Sequence, residues 1–162
     1  MIIKGDVCCF TGHRSIPDNE QLTLKELLLL EILRQYKNNK INQFISGGAR
    51  GFDLLAGYVV LEAKKYYSDI RLHMFLPCYN QNERWLIYDK VSYERLLNLS
   101  DSVTYITNSN YFKGCMEKRN IAMIDNSKSC IAYYKNNFGG TMHTINYAIS
   151  KNIPITNIVD SL

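Results

Sequence analysis

Proline is scarce in this chain, with three residues among 162 (Pro17, Pro77 and Pro154). They lie too far apart for a proline-rich linker or an extended tail. Tryptophan occurs once, as Trp85, and apolar runs are short: the longest near the start covers 27–30, far below the ~20 residues of a membrane helix. The first residues lack a basic segment followed by an apolar core and a cleavage site, so no secretory signal or membrane partner is expected, and the location expected is the cytoplasm. Charge of one sign never accumulates, because no Lys/Arg run exceeds two residues and the net charge is only +4. That mild basicity suits phosphates and is too dispersed to point to nucleic acid as a partner. Five cysteines (8, 9, 78, 115 and 130) make an odd number without CxxC spacing, which argues against a zinc site or a structural disulfide, and no metal is expected.

What is present is a compact, 46% apolar chain of the size of one domain spanning 1–162. Short apolar runs alternate with helical spacing along its whole length. Strands are predicted over 7–11, 44–46, 71–76, 103–106, 130–134 and 153–155, the last at an edge because of Pro154. Between them, helices are predicted over 22–36, from 52 to about 67, from 82 through Leu97, over 115–124, and from the Gly139-Gly140 pair onward. The leucines at 24, 27, 28 and 30, with Ile32 and Leu33, form the core stripe of the first helix. This alternation specifies an α/β, Rossmann-like open sheet, mostly parallel, with helices on both faces.

Such sheets bind ligands beyond the carboxyl ends of their strands. Polar and glycine clusters fall there: Thr11-Gly12-His13-Arg14, Ser46-Gly47-Gly48-Ala49-Arg50, Pro77-Cys78-Tyr79-Asn80 and Gly139-Gly140-Thr141. Glycines at a strand-to-helix turn admit positive φ and let a ligand approach main-chain amides, which at a helix start lack intrahelical partners and attract anions. Two such turns fit a nucleoside phosphate or a dinucleotide. No GxGxxG fingerprint is present, so ordinary NAD dehydrogenase chemistry is not expected.

Individual residues have two readings each. Arg14 and Arg50 suit a phosphate fork, or else a surface ion pair. Arg119 either clamps phosphate or pairs with Glu117 or Asp125 on its helix. Asp53, two residues past the turn, reads as a helix cap before it reads as a ribose ligand. Trp85 either packs or stacks on a base. His73, isolated in a strand, reads as packed or exposed. Glu83 is the best carboxylate left near a strand end, and His13 and His143, each beside a glycine turn, are either general bases or ligand hydrogen-bonding groups.

Six ordered blocks carry a resemblance: Cys9-Phe10-Thr11-Gly12-His13-Arg14, Ser46-Gly47-Gly48-Ala49-Arg50-Gly51-Phe52-Asp53, Leu76-Pro77-Cys78, Glu83-Arg84-Trp85, Gly114-Cys115-Met116-Glu117-Lys118-Arg119-Asn120 and Gly139-Gly140-Thr141. Together they resemble the YpsA-like proteins of the SLOG superfamily, which also holds DprA/Smf and the LOG phosphoribohydrolases. The resemblance implies a domain that binds a nucleotide-like small molecule such as ADP-ribose or NAD, as a ligand-binding or sensor module. It implies ligand contacts from Thr11, Gly12, His13, Arg14, Ser46, Gly47, Gly48, Ala49, Arg50, Arg119, Gly139, Gly140 and Thr141. LOG enzymes resemble this chain in the Met-x-x-Arg spacing of Met116 and Arg119, but they follow Gly-Thr with two residues and a catalytic Glu. Here that place is Thr144. A hydroxyl is a poor substitute for a carboxylate in N-glycosidic cleavage. Catalysis is therefore left open, with Glu83, Arg119 and His143 as its candidates, and LOG-type hydrolysis or DprA-like single-strand handling as alternatives to binding. A homo-oligomer through the scattered tyrosines is a further expectation.

Overall fold

In the computed structural model, which describes residues 3–136 and 139–162, the apolar runs form six strands: β1 (Val7–Gly12), β2 (Gln43–Ser46), β3 (Arg71–Leu76), β4 (Ser102–Tyr105), β5 (Ser129–Tyr133) and β6 (Ile155–Asn157). Five α-helices connect them: α1 (Gln21–Asn39), α2 (Phe52–Lys64), α3 (Ile87–Leu99), α4 (Cys115–Asp125) and α5 (Gly140–Ser150). Every strand pair is parallel, in the order β4-β3-β2-β1-β5-β6. The chain steps outward from β1 to β4, then returns to lay β5 on the other side of β1. The strand order therefore reverses between β1 and β5, where the carboxyl ends diverge.

Successive strand residues serve opposite faces, and the two cores follow that alternation. Cys8, Phe10, Phe44, Leu72, Met74 and Ile131 pack under α1, α2 and α3, with Leu24, Leu28, Ile32, Val60 and Leu96 from those helices. Val7, Cys9, Ile45, Phe75 and Cys130 face the other way, against Met123, Ile124 and Ala148 of α4 and α5. Leu30, assigned to the α1 stripe from spacing, instead points to solvent at 64% exposure, because it lies two positions from both Leu28 and Ile32 and so on the opposite side of the helix from the 24-28-32 row. His73 is packed, with Ser102 Oγ 2.6 Å from Nδ1 and Gln43 Oε1 2.5 Å from Nε2.

α1 runs three residues longer than expected and α2 ends three earlier, and two further element boundaries differ from the expectation. The helix predicted from 82 begins at Ile87, because 80–85 form consecutive tight turns, closed by Glu83 N–H on the Asn80 carbonyl and Trp85 N–H on that of Asn82. Asn80 Oδ1 also accepts from Tyr111 N–H at 2.7 Å, tying this segment to the loop before α4. The last strand runs two residues later than predicted: the Pro154 carbonyl accepts from Cys130 N–H, and ladder pairing starts at Ile155.

The turn between β2 and α2 depends on one backbone conformation. Gly51 has φ +78°, and a Cβ there would lie 2.3 Å from the Arg14 carbonyl oxygen, which cannot rotate away. Gly51→Ala is expected to destabilise the protein by about 2–4 kcal/mol, combining left-handed strain with a backbone collision. Gly5→Ala also sits at positive φ, but its Cβ would only touch Gln43 Cγ at 3.7 Å. Its cost should stay near 1 kcal/mol, so urea denaturation of the two variants separates collision from strain.

Candidate functional site

The divergence of β1 and β5 opens a cavity of about 420 Å³. Thr11, Gly12, His13 and Arg14 at the end of β1 form one wall, Ala49 and Asp53 another, Met116, Arg119 and Asn120 of α4 a third, and Gly140 and Thr141 close it at the start of α5. Both glycine turns thus lie on the same rim of the sheet. α5 begins after Gly139, which supplies no side-chain cap. The first amides of that helix therefore keep their partial positive charge, and among the described residues beyond its chain neighbours none lies within 4 Å of where a Gly140 Cβ would stand.

At the back of the cavity is a buried arginine. Arg119 is only 3% exposed. Its Nη1 donates to the Gly47 carbonyl at 2.5 Å and to Gln81 Oε1 at 3.3 Å, and its Nε donates to Asn120 Oδ1 at 2.8 Å. The expected pairing with Glu117 or Asp125 does not form. The guanidinium turns inward, and Asp125 instead accepts from the Tyr147 hydroxyl at 2.6 Å. Gly47 is small for this reason, since a Cβ there would lie 2.6 Å from Arg119 Nη1.

Asp53 faces the same space and does not cap α2, whose start has no side-chain cap bond. Its carboxylate accepts from the Ala49 backbone N–H and feels the charges of Arg119 and Arg14, but burial dominates and pushes its pKa up to about 6. Burial also works against the Arg119 charge, opposed by Asp53. Among the described residues the two make no ion-pair contact within 4 Å. Spacing suggested a cap because Asp53 is the second residue of its helix. Its hydrogen bond comes from Ala49, four positions back, and the charge of Arg119 reaches it from α4, 66 positions away in sequence.

The remaining expected site residues are spread more widely. Ser46 Oγ donates to the Asp53 carbonyl at 2.8 Å and accepts from Gly48 N–H at 3.2 Å. Gly47 and Gly48 therefore sit behind the cavity and not on its lining, with the Gly48 side facing Met74 and Tyr93. The amides at the head of α2 are also used internally, Phe52 N–H on the His13 carbonyl and Leu54 N–H on that of Ala49. His13 Nε2 accepts from Lys135 N–H at 2.8 Å, and burial and the Lys135 charge hold its pKa low, so the ring is a neutral acceptor. Arg50 and Glu83 line a neighbouring cavity, and His143 with Thr144 a third. The three catalytic candidates Glu83, Arg119 and His143 therefore occupy three different cavities. Met116 and Asn120 of the Gly114–Asn120 block line the site as well, while Gln81, which supports Arg119, has no spacing that distinguishes it from a solvent-facing polar position.

The YpsA model, described as the YspA SLOG family, matches residues 8–158, nearly the whole fold including every wall of this cavity. The chain belongs to the YspA SLOG family. Among its relatives, an uncharacterized SPbeta prophage-derived protein, YoqJ of Bacillus subtilis (strain 168), is 31% identical over 138 residues, covering 78% of this chain and 81% of that one. A UPF0398 protein of Bacillus anthracis (strain A0248) is 28% identical over 137 residues, covering 79% and 74%. Among solved structures, DNA processing protein A from Helicobacter pylori, a protein with a single-stranded DNA binding mode, superposes with a TM-score of 0.65 at 18% identity, over 97% of this chain and 71% of that one. DNA processing protein A from Streptococcus pneumoniae gives 0.64 at 14%, over 94% and 50%. At such identities the likeness is one of fold.

Within this SLOG chain, Thr144 is 3% exposed and its Oγ1 donates to the Gly140 carbonyl one turn back, at 3.1 Å. The hydroxyl is engaged in its own helix, and the cavity's carboxylate comes from Asp53. Asp53 has a native pKa of about 6 against 3.8 in the unfolded chain. The native state thus holds the proton more tightly, and this group favours folding most below about pH 4, loses that advantage between pH 4 and 6, and is constant above. The change amounts to about 3 kcal/mol. Carbon-13 NMR of the Asp53 carboxyl should show a midpoint near 6; a midpoint near 4 would mean that the carboxylate is solvated. Arg119→Met should cost about 3–5 kcal/mol by stranding the Asp53 charge and the Gly47 carbonyl, with a smaller additional loss from Asp53→Asn in that background than in the wild type.

Proposed function

We propose that the cavity at the β1/β5 divergence binds a ribonucleotide, phosphate toward the α5 N-terminus and Arg14, ribose toward Asp53. The observation that carries this is the opposition, across one open cavity, of an uncapped helix start and a buried carboxylate. Amides and a guanidinium recognise the anion. A carboxylate accepts from vicinal hydroxyls, as acidic residues do at the ribose in other Rossmann-like sites. Thr144 offers no acid or base at the position where a LOG enzyme would have one, so the reading is of a nucleotide-binding module, in the manner of a sensor, and not of a hydrolase. ADP-ribose and NAD both carry the required ribose and phosphates. Single-stranded DNA is the competing ligand, favoured by the likeness to DNA processing protein A. Deoxyribose, however, lacks the 2′-hydroxyl that Asp53 would accept.

A melting-temperature screen with ribonucleotides should show stabilisation, and Gly140→Asp should abolish it while leaving the apo protein folded, because its Cβ meets none of the described residues beyond its chain neighbours. Asp53→Asn should cut the preference for ADP-ribose over its 2′-deoxyadenosine analogue by roughly tenfold, the worth of a charged hydrogen bond. Affinity should fall as pH drops from 7.5 to 5, since protonation of Asp53 near 6 removes an acceptor while Arg14 and Arg119 keep their charge. An affinity that rises on acidification would instead place the phosphate against Asp53 and reverse the assignment.

A further inference from the structure

A second cavity, of about 510 Å³, adjoins the first and shares Arg14, Ala49 and Met116 with it. It is lined by Arg50 and Arg84, with Trp85 and Tyr111 as its aromatic surfaces. Trp85 is half-buried, braced edge-on by Tyr93 at 5.1 Å between ring centroids, and the Arg50 guanidinium lies 5.8 Å from its ring centre. Arg14, Arg50 and Arg84 form no ion pair among the described residues. Three arginines without carboxylate partners around one hollow repel each other, and an anionic guest relieves that repulsion. The rigid indole supplies a stacking plane, and either cavity alone has room for a small ligand.

We infer that this second cavity is a subsite for a second nucleobase, so that the ligand is a dinucleotide with one nucleoside in each cavity and its bridging phosphates at Arg14. The inference rests on the reading of the first cavity and extends it. The position of Arg14 is the geometric reason: it belongs to both linings, so a phosphate held there can reach a ribose at Asp53 on one side and a base at Trp85 on the other. Met116 and Ala49 form the rest of the partition and are small or flexible enough to let the bridge pass. Glu83 also lines this cavity, its carboxylate accepting from Asn80 Nδ2 at 3.1 Å, so three guanidinium charges face one carboxylate and the balance stays positive.

The test is calorimetric titration of the whole chain with diadenosine diphosphate and with ADP-ribose, which share adenosine, pyrophosphate and a second ribose and differ by one base. Diadenosine diphosphate should bind at least fivefold more tightly, the lower end of what base stacking on an aromatic side chain provides. Trp85→Ala should erase the difference without changing ADP-ribose affinity, and Trp85→Phe should restore most of it. Arg50→Gln, which removes no hydrogen bond seen in the fold, should weaken diadenosine diphosphate selectively if Trp85→Ala proves unstable. Equal affinity of the two ligands, with both variants silent, overturns the subsite and leaves the first cavity's assignment standing. Binding of neither ligand overturns the assignment of the first cavity, and the subsite with it. Tighter binding of a ten-residue oligodeoxyadenylate than of diadenosine diphosphate at equal salt, lost in Trp85→Ala, overturns the dinucleotide in favour of a DNA strand.

Discussion

The buried guanidinium of Arg119 is the constraint from which the geometry of this rim follows. A cation out of water needs several acceptors, and the fold brings them from three places: the Gly47 carbonyl at the end of β2, Gln81 in the turns after β3, and Asn120 beside it on α4. Gly47 and Gln81 belong to different crossovers, so the arginine fixes α4 to the β2 and β3 ends at once. The absence of a side chain at Gly47 is then a requirement of internal packing. Gly48 is committed in the same way, its amide on Ser46 and its open side against Met74 and Tyr93.

This separates two turns that look alike in sequence. Both pair glycines before a helix, and both suggest free amides. In the first, the amides of Gly48, Phe52 and Leu54 are bonded within the protein and the space beside the turn is filled by Arg119. In the second, no side chain caps α5, and Gly140 lines the open cavity. The glycine pair alone carries no information about which case holds; the difference lies in a contact between Gly47 and Arg119, 72 positions apart.

Legibility in the sequence followed the range of the forces involved. Apolar runs of three to six residues located all six strands to within two residues, because burial on both faces of a parallel sheet demands such runs. The placement of the glycine clusters at the carboxyl ends followed from that alternation. The stretch before Ile87 did not, since Asn82, Glu83 and Arg84 are compatible with a helix and are held in turns by bonds to the Asn80 and Asn82 carbonyls and by the tie from Asn80 to Tyr111. Asp53 is the more consequential case. A carboxylate at the second position of a helix is a reasonable cap by local rules, and it became a cavity group because Ala49 N–H and two arginines outcompete the helix start.

On the proposed reading, those same charges let a cavity this polar discriminate between guests. Arg119 cannot leave, and Arg14 adds a second positive charge from the end of β1, so the first cavity has a standing attraction for anions that does not depend on its own titration. Asp53 opposes that attraction locally and is costly to keep ionised in a buried position, a cost lowered by any guest that donates hydroxyl hydrogens to it. A bare phosphate would gain from the arginines and lose at the carboxylate, while a phosphate carrying a ribose gains at both. On the proposed reading, the burial that raises the Asp53 pKa is thus the source of selectivity for a sugar phosphate over inorganic anions. Moving that carboxylate into water would make the cavity a less selective anion site without altering a single contact to phosphate.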